Sequence, residues 1–201
     1  MVESQAVYEK VPVSTGDIWE EYDPITTEGE ILGQGMCSTV TKARKKSEGP
    51  TGQEYFIKTI AADGMMWSAD NERIGLELAG NLPGVVKCYK IYDRRHLQDG
   101  EKSCIFVLKY EESGYLESWL TENNKDGTYL SKEQFFSWAT EMSKTLTTLH
   151  ETTYMMHGDL HFKNWLFSKD GSIVLCDFGC SKVLGPGGKV SVGTPVFYAD
   201  I

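Results

Sequence analysis

His157–Gly179 reads HGDLHFKNWLFSKDGSIVLCDFG, and this stretch decides the fold. Two short apolar runs, NWLF and SIVLC, flank SKDG, so the chain is read as a hairpin closed by a polar, glycine-containing turn. The polar segment HGDLHFKN enters that hairpin. Asp177-Phe178-Gly179 leaves it, so an acid beside a glycine follows Asn164 across a short hairpin.

Working outward toward the N-terminus, SKEQFFSWATEMSKTLTTLHE reads as a long helix. Ser131 with Gln134 offers a capping-box start, and Phe135, Trp138, Ala139, Met142, Leu146 and Leu149 form one apolar stripe at helical spacing. GYLESWLTENN reads as a shorter helix. After Gly29 the pattern is strand-like: ILGQG, STVTKARKK and QEYFIKTI are three short strands, the last two joined by the SEGPTG turn. MMWSADNERIGLELAG is helical and stops near Gly80 and Pro83, and VVKCYKIYD and SCIFVLKY are two further strands around a polar loop. The expectation is an α+β fold of two lobes: a five-stranded antiparallel N-lobe with one helix at 29–109, and a partial helical C-lobe at 110–201. Residues 1–28, with Pro12, Gly16 and Pro24, read as an N-terminal extension on the surface.

Composition narrows the function classes. The 201 residues carry a formal charge of −9, which argues against general binding to nucleic acid or anionic membrane, since both need a basic surface. Five cysteines, Cys37, Cys88, Cys104, Cys176 and Cys180, are odd in number and form no CxxC pair, so neither a zinc site nor a disulfide scaffold is expected. No apolar run reaches the roughly 18 residues of a membrane span. Nothing at the start resembles a signal peptide. The expectation is a soluble cytoplasmic protein, with nuclear or secreted-effector placement also open.

Four separated elements suit phosphoryl transfer, which needs phosphates held, their charge neutralised by metal and the acceptor hydroxyl aimed in line. Gly33-Gln34-Gly35-Met36-Cys37-Ser38-Thr39-Val40 lies between two strands, where small residues let a backbone descend over phosphates. Its strand-turn-strand context argues against a dinucleotide-binding loop, which opens a helix. Lys58 stands in the apolar strand YFIKTI and must reach water or meet an anion. Glu72 or Glu77 on the following helix can pair with it, and Glu72 is preferred, with Leu76 and Ile74 on the inward face and Glu77 toward water. Asp159 can accept or orient a hydroxyl proton, while Asn164 and Asp177 offer oxygens to a hard cation. His157 is read as a packed structural histidine.

Taken together and in order, these motifs resemble the protein kinase family across residues 29–201. FVLKYEESGYL is similar to the family's segment linking the lobes, TLHE to the end of its long helix, and GTPVFYAD to the end of its activation segment. The resemblance implies ATP and Mg²⁺ as cofactors and a protein substrate. By it, Gly33, Gly35, Ser38 and Val40 cover the nucleotide. Leu108 is the gatekeeper, and Lys109, Tyr110 and Glu111 carry the backbone that meets adenine. Lys58 and Glu72 form the ion pair, Asp159 is the catalytic aspartate, and Asn164 and Asp177 hold Mg²⁺. Thr194 suits a serine/threonine enzyme.

The chain departs from that pattern at identifiable positions. Gly158 replaces the arginine that usually precedes the catalytic aspartate and meets a phosphorylated residue of the activation segment. His161 stands in place of the lysine of serine/threonine kinases, and HGDLH also resembles small-molecule (aminoglycoside-type) phosphotransferases, which stand as one alternative. Phe56 occupies the position of a small alanine over adenine. A ring there narrows the base pocket at a cost of about 1–3 kcal/mol where neighbours cannot yield, so a pseudokinase scaffold is a second alternative. In YADI, Asp200 and Ile201 replace the usual Pro and Glu: either the sequence is part of a longer chain, or it is a minimal kinase whose partner covers the incomplete C-lobe.

Overall fold

The structure, a computed structural model, describes residues 8–25, 33–34, 38–61, 66–97, 102–111, 114–123, 130–168 and 170–184. In chain order its elements are β1 (Val13–Ser14), α1 (Ile18–Glu21), β2 (Tyr22–Pro24), β3 (Gly33–Gln34), β4 (Ser38–Lys45), β5 (Glu54–Ala61), α2 (Met66–Ala79), β6 (Cys88–Asp93) and β7 (Ser103–Lys109). There follow α3 (Leu116–Asn123), α4 (Lys132–Thr153), β8 (Met155–Met156), β9 (Trp165–Phe167), β10 (Ile173–Leu175) and β11 (Lys182–Val183).

Side-chain alternation sets the first sheet. In β5, Tyr55 and Ile57 face one way into a cluster with Tyr92, Ile105 and Val107. Ile60, and Phe56 at the edge, face the opposite way into the main core with Phe106, Leu108 and α2. Residues of β7 from Ser103 to Leu108 are therefore buried on both faces, and the unbroken apolar run from Cys104 to Leu108 follows from that.

Among the described residues seven strands form this sheet, in the order β1-β6-β7-β5-β4-β2 with β3 also on β4. Five are those expected; the other two come from the segment before residue 29. Residues 8–25 are thus no surface extension. β1 runs parallel to β6 with Val13 opposite Ile91, while β2 pairs antiparallel with β4. Ile18 and Tyr22 cover the outer face of the sheet. A sheet with apolar residues on both faces needs such a cover, and the N-terminal segment supplies it.

Ala69, Leu76 and Ala79 of α2 join the main core, whereas Ile74, expected to face inward, is exposed. In α4 the Ser131 hydroxyl accepts from the Gln134 amide at 3.1 Å, the N-cap that its spacing predicts. Trp138 and Leu149 are buried, but Phe135 lies 56% exposed and leaves the expected stripe. Its ring meets Phe136 edge-on at 5.6 Å instead.

Past α4 the expected hairpin forms, with Phe167 opposite Ile173 and Trp165 opposite Leu175. Backbone bonds from Val86 to Leu175 and from Leu175 to Gly84, both 2.8 Å, fasten it to the segment after α2. β11 returns to β8, Lys182 opposite Met156, so the chain beyond Gly179 is held against the entry to the hairpin. Among the described residues no helix is long and apolar enough to cross a membrane.

Candidate active site

Between the sheet and the hairpin lies a cleft of about 730 Å³. Of the residues singled out in the sequence, Ser38, Val40, Lys58, Glu72, Leu108, Glu111, Asp159, Asn164 and Asp177 all line it. Gly33 sits on β3, opposite Val40. Gly35, Thr194 and the GTPVFYAD segment lie outside the described residues.

Strand period places Lys58 on the cleft side of β5, directly opposite Val40 on β4. Its ammonium is 2.9 Å from Glu72 Oε1 and 3.1 Å from Asp177 Oδ1. Two carboxylates thus share one cation, and their surroundings separate them. Burial, opposed by Lys58 and reinforced by the neighbouring Asp177 charge, raises the Glu72 carboxyl to about 7. Burial pulls the same way on Asp177, but the Lys58 ammonium outweighs it and holds that carboxyl below its ordinary value. Lys58 itself is buried, which disfavours its charge, yet the two carboxylates push its pKa above the usual lysine range. Glu77, the other candidate, pairs with Arg73 at 2.8 Å on the outer side of α2.

Asp177 adopts φ +63°, the left-handed region that non-glycine residues seldom occupy. The turn sends Phe178 into the core against α2 while leaving the Asp177 carboxyl half-exposed in the cleft. Gly75 makes this approach possible, since a Cβ there would stand 2.5 Å from Phe178 Cβ. Asn71 Nδ2 donates to the Gly179 carbonyl at 3.1 Å, and the Ser181 hydroxyl donates to the Asn71 carbonyl at 3.2 Å. None of Gly75, Asn71 and Ser181 stood out in the sequence; only a glycine inside a helical pattern hinted at a close approach.

Across the cleft, Asn164 Nδ2 donates to the Asp159 carbonyl at 2.8 Å and to Asp159 Oδ2 at 3.0 Å. His161 Nδ1 accepts from the Lys163 amide, so its Nε2 carries the proton and faces Asp159 Oδ2 at 3.2 Å. Both bonds fall on one carboxylate oxygen, and Asp159 Oδ1 has no partner among the described residues. The amide nitrogen of Asn164 is likewise committed, which leaves its oxygen as the acceptor for the cleft. Asp177 (ionised and half-exposed) and the Asn164 oxygen are hard oxygen donors at the same open end of the hairpin, where the Cys176 amide donates to the Asn164 carbonyl at 2.9 Å, and such a donor set fits Mg²⁺.

His157 is fully buried, and Nε2 donates to the Cys176 carbonyl at 3.0 Å. Burial lowers its pKa, so it is a neutral packed residue, as read from the sequence. Phe56 keeps the regular register, opposite Lys42 and Leu108. Its ring leans edge-on against Tyr110 at 4.7 Å, and Lys42 caps the other ring of that pair at 4.1 Å. Phe56 itself lines the cleft. Lys109 reaches Glu111 at 2.9 Å, which steadies the segment between the lobes. Three apolar residues of the lining, Val86, Leu166 and Cys176, had no motif of their own. Leu166 was inferable from its period-2 relation to Asn164.

The family model described as a protein kinase domain matches residues 26–200. Mitogen-activated protein kinase kinase kinase 20 of Arabidopsis thaliana is 28% identical over 152 residues, 75% of this chain and 43% of that protein. Protein kinase C zeta type of Oryctolagus cuniculus is 27% identical over 200 residues, 94% of this chain and 30% of that protein. The 3-phosphoinositide-dependent protein kinase 1 of Rattus norvegicus is 32% identical over 166 residues, 80% of this chain and 27% of that protein. The chain thus spans less than half the length of each of these relatives.

Proposed function

The chain belongs to the protein kinase domain family, and on that premise we propose that it transfers the γ-phosphoryl group of ATP, with Mg²⁺, to a serine or threonine hydroxyl of a protein. One observation carries the proposal: Lys58, Glu72, Asp159, Asn164 and Asp177, distant in sequence, line a single cleft. Lys58, oriented by Glu72, binds the α- and β-phosphates as a fixed cation. Val40, Leu108 and Leu166 surround the base, and the backbone at Lys109, Tyr110 and Glu111 meets its edge. Asn164 and Asp177 would hold Mg²⁺, which when bound neutralises charge on the phosphates. Asp159, its Oδ2 occupied by Asn164 and His161, presents Oδ1 to the acceptor hydroxyl and takes up its proton as the new oxygen–phosphorus bond forms and the bond from the γ-phosphorus to the β–γ bridging oxygen breaks, releasing ADP.

Two rival readings have specific support. A scaffold without catalysis is favoured by Phe56 over the base site, and a small-molecule phosphotransferase by HGDLH. Thermal unfolding and label transfer separate the three. ATP with Mg²⁺ at 100 times its dissociation constant stabilises a protein that binds only when folded by about 2.7 kcal/mol. Asp159→Asn is expected to keep that shift while slowing transfer of labelled phosphate to protein by roughly 10²–10⁴-fold. No shift at millimolar ATP would sink the catalytic reading. Labelling of aminoglycosides or choline-like compounds, with proteins unlabelled, would favour the small-molecule rival.

A further inference from the structure

The helix that carries Glu72 ends against the N-terminal segment. The last four carbonyls of a helix lack partners within it. In α2 the Leu76 carbonyl accepts from the Gly80 amide at 2.9 Å, but the Glu77 carbonyl accepts from the Val11 amide at 3.0 Å, across the chain. The same segment is fixed on its other side, because Ile91 of β6 donates to the Pro12 carbonyl at 3.0 Å. Asn81 Nδ2, just past the helix, donates to the Glu9 carbonyl at 2.6 Å.

Packing agrees with the bonding. Val11 is 2% exposed and belongs to the same core cluster as Ala69, Leu76, Ala79 and Phe178. Gly80 leaves it room: a Cβ there would stand 3.0 Å from Val11 Cγ2 and 2.6 Å from Cys88 Cβ. The side chain is a wedge driven between the end of α2 and β6. Toward the opposite end of α2, Asn71 holds the helix to Gly179. The helix is therefore bracketed, and Glu72 lies between the two brackets.

We propose that residues 8–14 are a positioning strap for α2, with Val11 as its wedge, and that the seating of Val11 sets what fraction of the molecules keep Glu72 within reach of Lys58. Val11 touches no substrate; it acts through the helix. The consequence for phosphoryl transfer rests on the function proposed above, whereas the consequence for helix α2 does not. Losing the wedge lets the C-terminal end of α2 swing away from β6, and Glu72 leaves the ammonium at 2.9 Å.

The experiment compares the full chain with Val11→Ala and Val11→Ile, each alone and in a Glu72→Gln background. Amide exchange is read well below the unfolding transition. With Val11→Ala, the α2 amides should exchange about tenfold faster while those of β5 and β7 stay at the parent rate, as expected from removing roughly two buried methyl(ene) equivalents from a local opening. Val11→Ile should restore the parent rate. In turnover, Val11→Ala should lower kcat/KM for ATP about tenfold, and that loss should vanish in the Glu72→Gln background, where no pair remains to be positioned. Faster exchange spread equally over α2, β5 and β7 would overturn the proposal, as would an equal fractional loss of turnover in both backgrounds. If the parent chain turned over no ATP, the kinase reading would fail, and the exchange pattern would still decide the strap.

Discussion

Replacing Lys58 by methionine tests whether the Lys58–Glu72 pair is buried and shared. Glu72 is 1% exposed and Lys58 is its cation at 2.9 Å. Removing one partner of such a pair strands the other, at a cost of roughly 3–5 kcal/mol. Asp177 is half-exposed and is rehydrated without that penalty. For a chain of this length each kcal/mol moves Tm by roughly 2–4 °C, so Lys58→Met should lower Tm by about 6–20 °C. Adding Glu72→Gln should recover most of the loss, because an amide leaves no stranded charge. The two variants should also differ with pH. Glu72 already titrates at about 7 in the fold, against 4.5 for a free carboxyl. With the ammonium gone its folded pKa rises further. The folded state then binds more protons than the unfolded one from about pH 4.5 upward, so stability falls as pH rises. In thermal unfolding followed by circular dichroism between pH 5 and 8, Lys58→Met should therefore lose stability relative to the Glu72→Gln double variant as pH rises, the rise that neutral, buried His157 contributes being common to both. Equal Tm for Lys58→Met and the double variant across that range would refute the reasoning.

Two other positions make sharp predictions. Gly158 has φ +82°, and a Cβ there would lie well inside contact distance of the Cys180 carbonyl oxygen; restoring the family's arginine with Gly158→Arg should cost roughly 2–5 kcal/mol, the sum of about 1–2 for the backbone and about 1–3 for overpacking. A Gly158→Arg chain as thermally stable as the parent would contradict the close approach. Phe56 lines the cleft proposed to take the base, so Phe56→Ala should weaken ATP·Mg²⁺ binding in calorimetry by about 0.5–1.5 kcal/mol, up to roughly tenfold; tighter binding would mean that the ring obstructs the site.

Most of the sheet and most of the charged cleft residues were legible because each has a local signature; Glu117 and Lys163, which also line the cleft, had none. Lys58 interrupts an apolar strand, Asn164 and Asp177 bracket a hairpin, and Ser131 caps a helix through its own hydroxyl. Contacts between distant segments leave no such mark. Val11, Ile18 and Tyr22 looked like scattered apolar residues among Pro12, Gly16 and Pro24, and their burial depends on a sheet face formed much later in the chain. One clue was available: Cys104 to Leu108 is apolar without alternation, so β7 needed cover on both faces. Ile74 and Phe135 failed for a different reason. Helical spacing places a residue near the edge of an apolar stripe, and packing of neighbouring elements then decides which edge residues are covered.

The same geometry explains how the chain orders the segment after Asp177 with no arginine before Asp159. In the family pattern that arginine meets a phosphorylated residue, an attraction that depends on modification and weakens with salt. Here residues 178–183 are held by uncharged contacts. Gly179 is tied to Asn71, Ser181 to the Asn71 carbonyl, and Phe178 is seated against Gly75. Lys182 and Val183 add a short ladder to β8. Gly158 completes the arrangement, since only a residue without a side chain lets the Cys180 carbonyl come so near the loop that carries Asp159. The glycine that replaces the arginine therefore does more than delete a phosphate receptor. It vacates the volume into which the following segment packs, so that hydrogen bonds and van der Waals contact, indifferent to ionic strength, hold Asp177 beside Lys58.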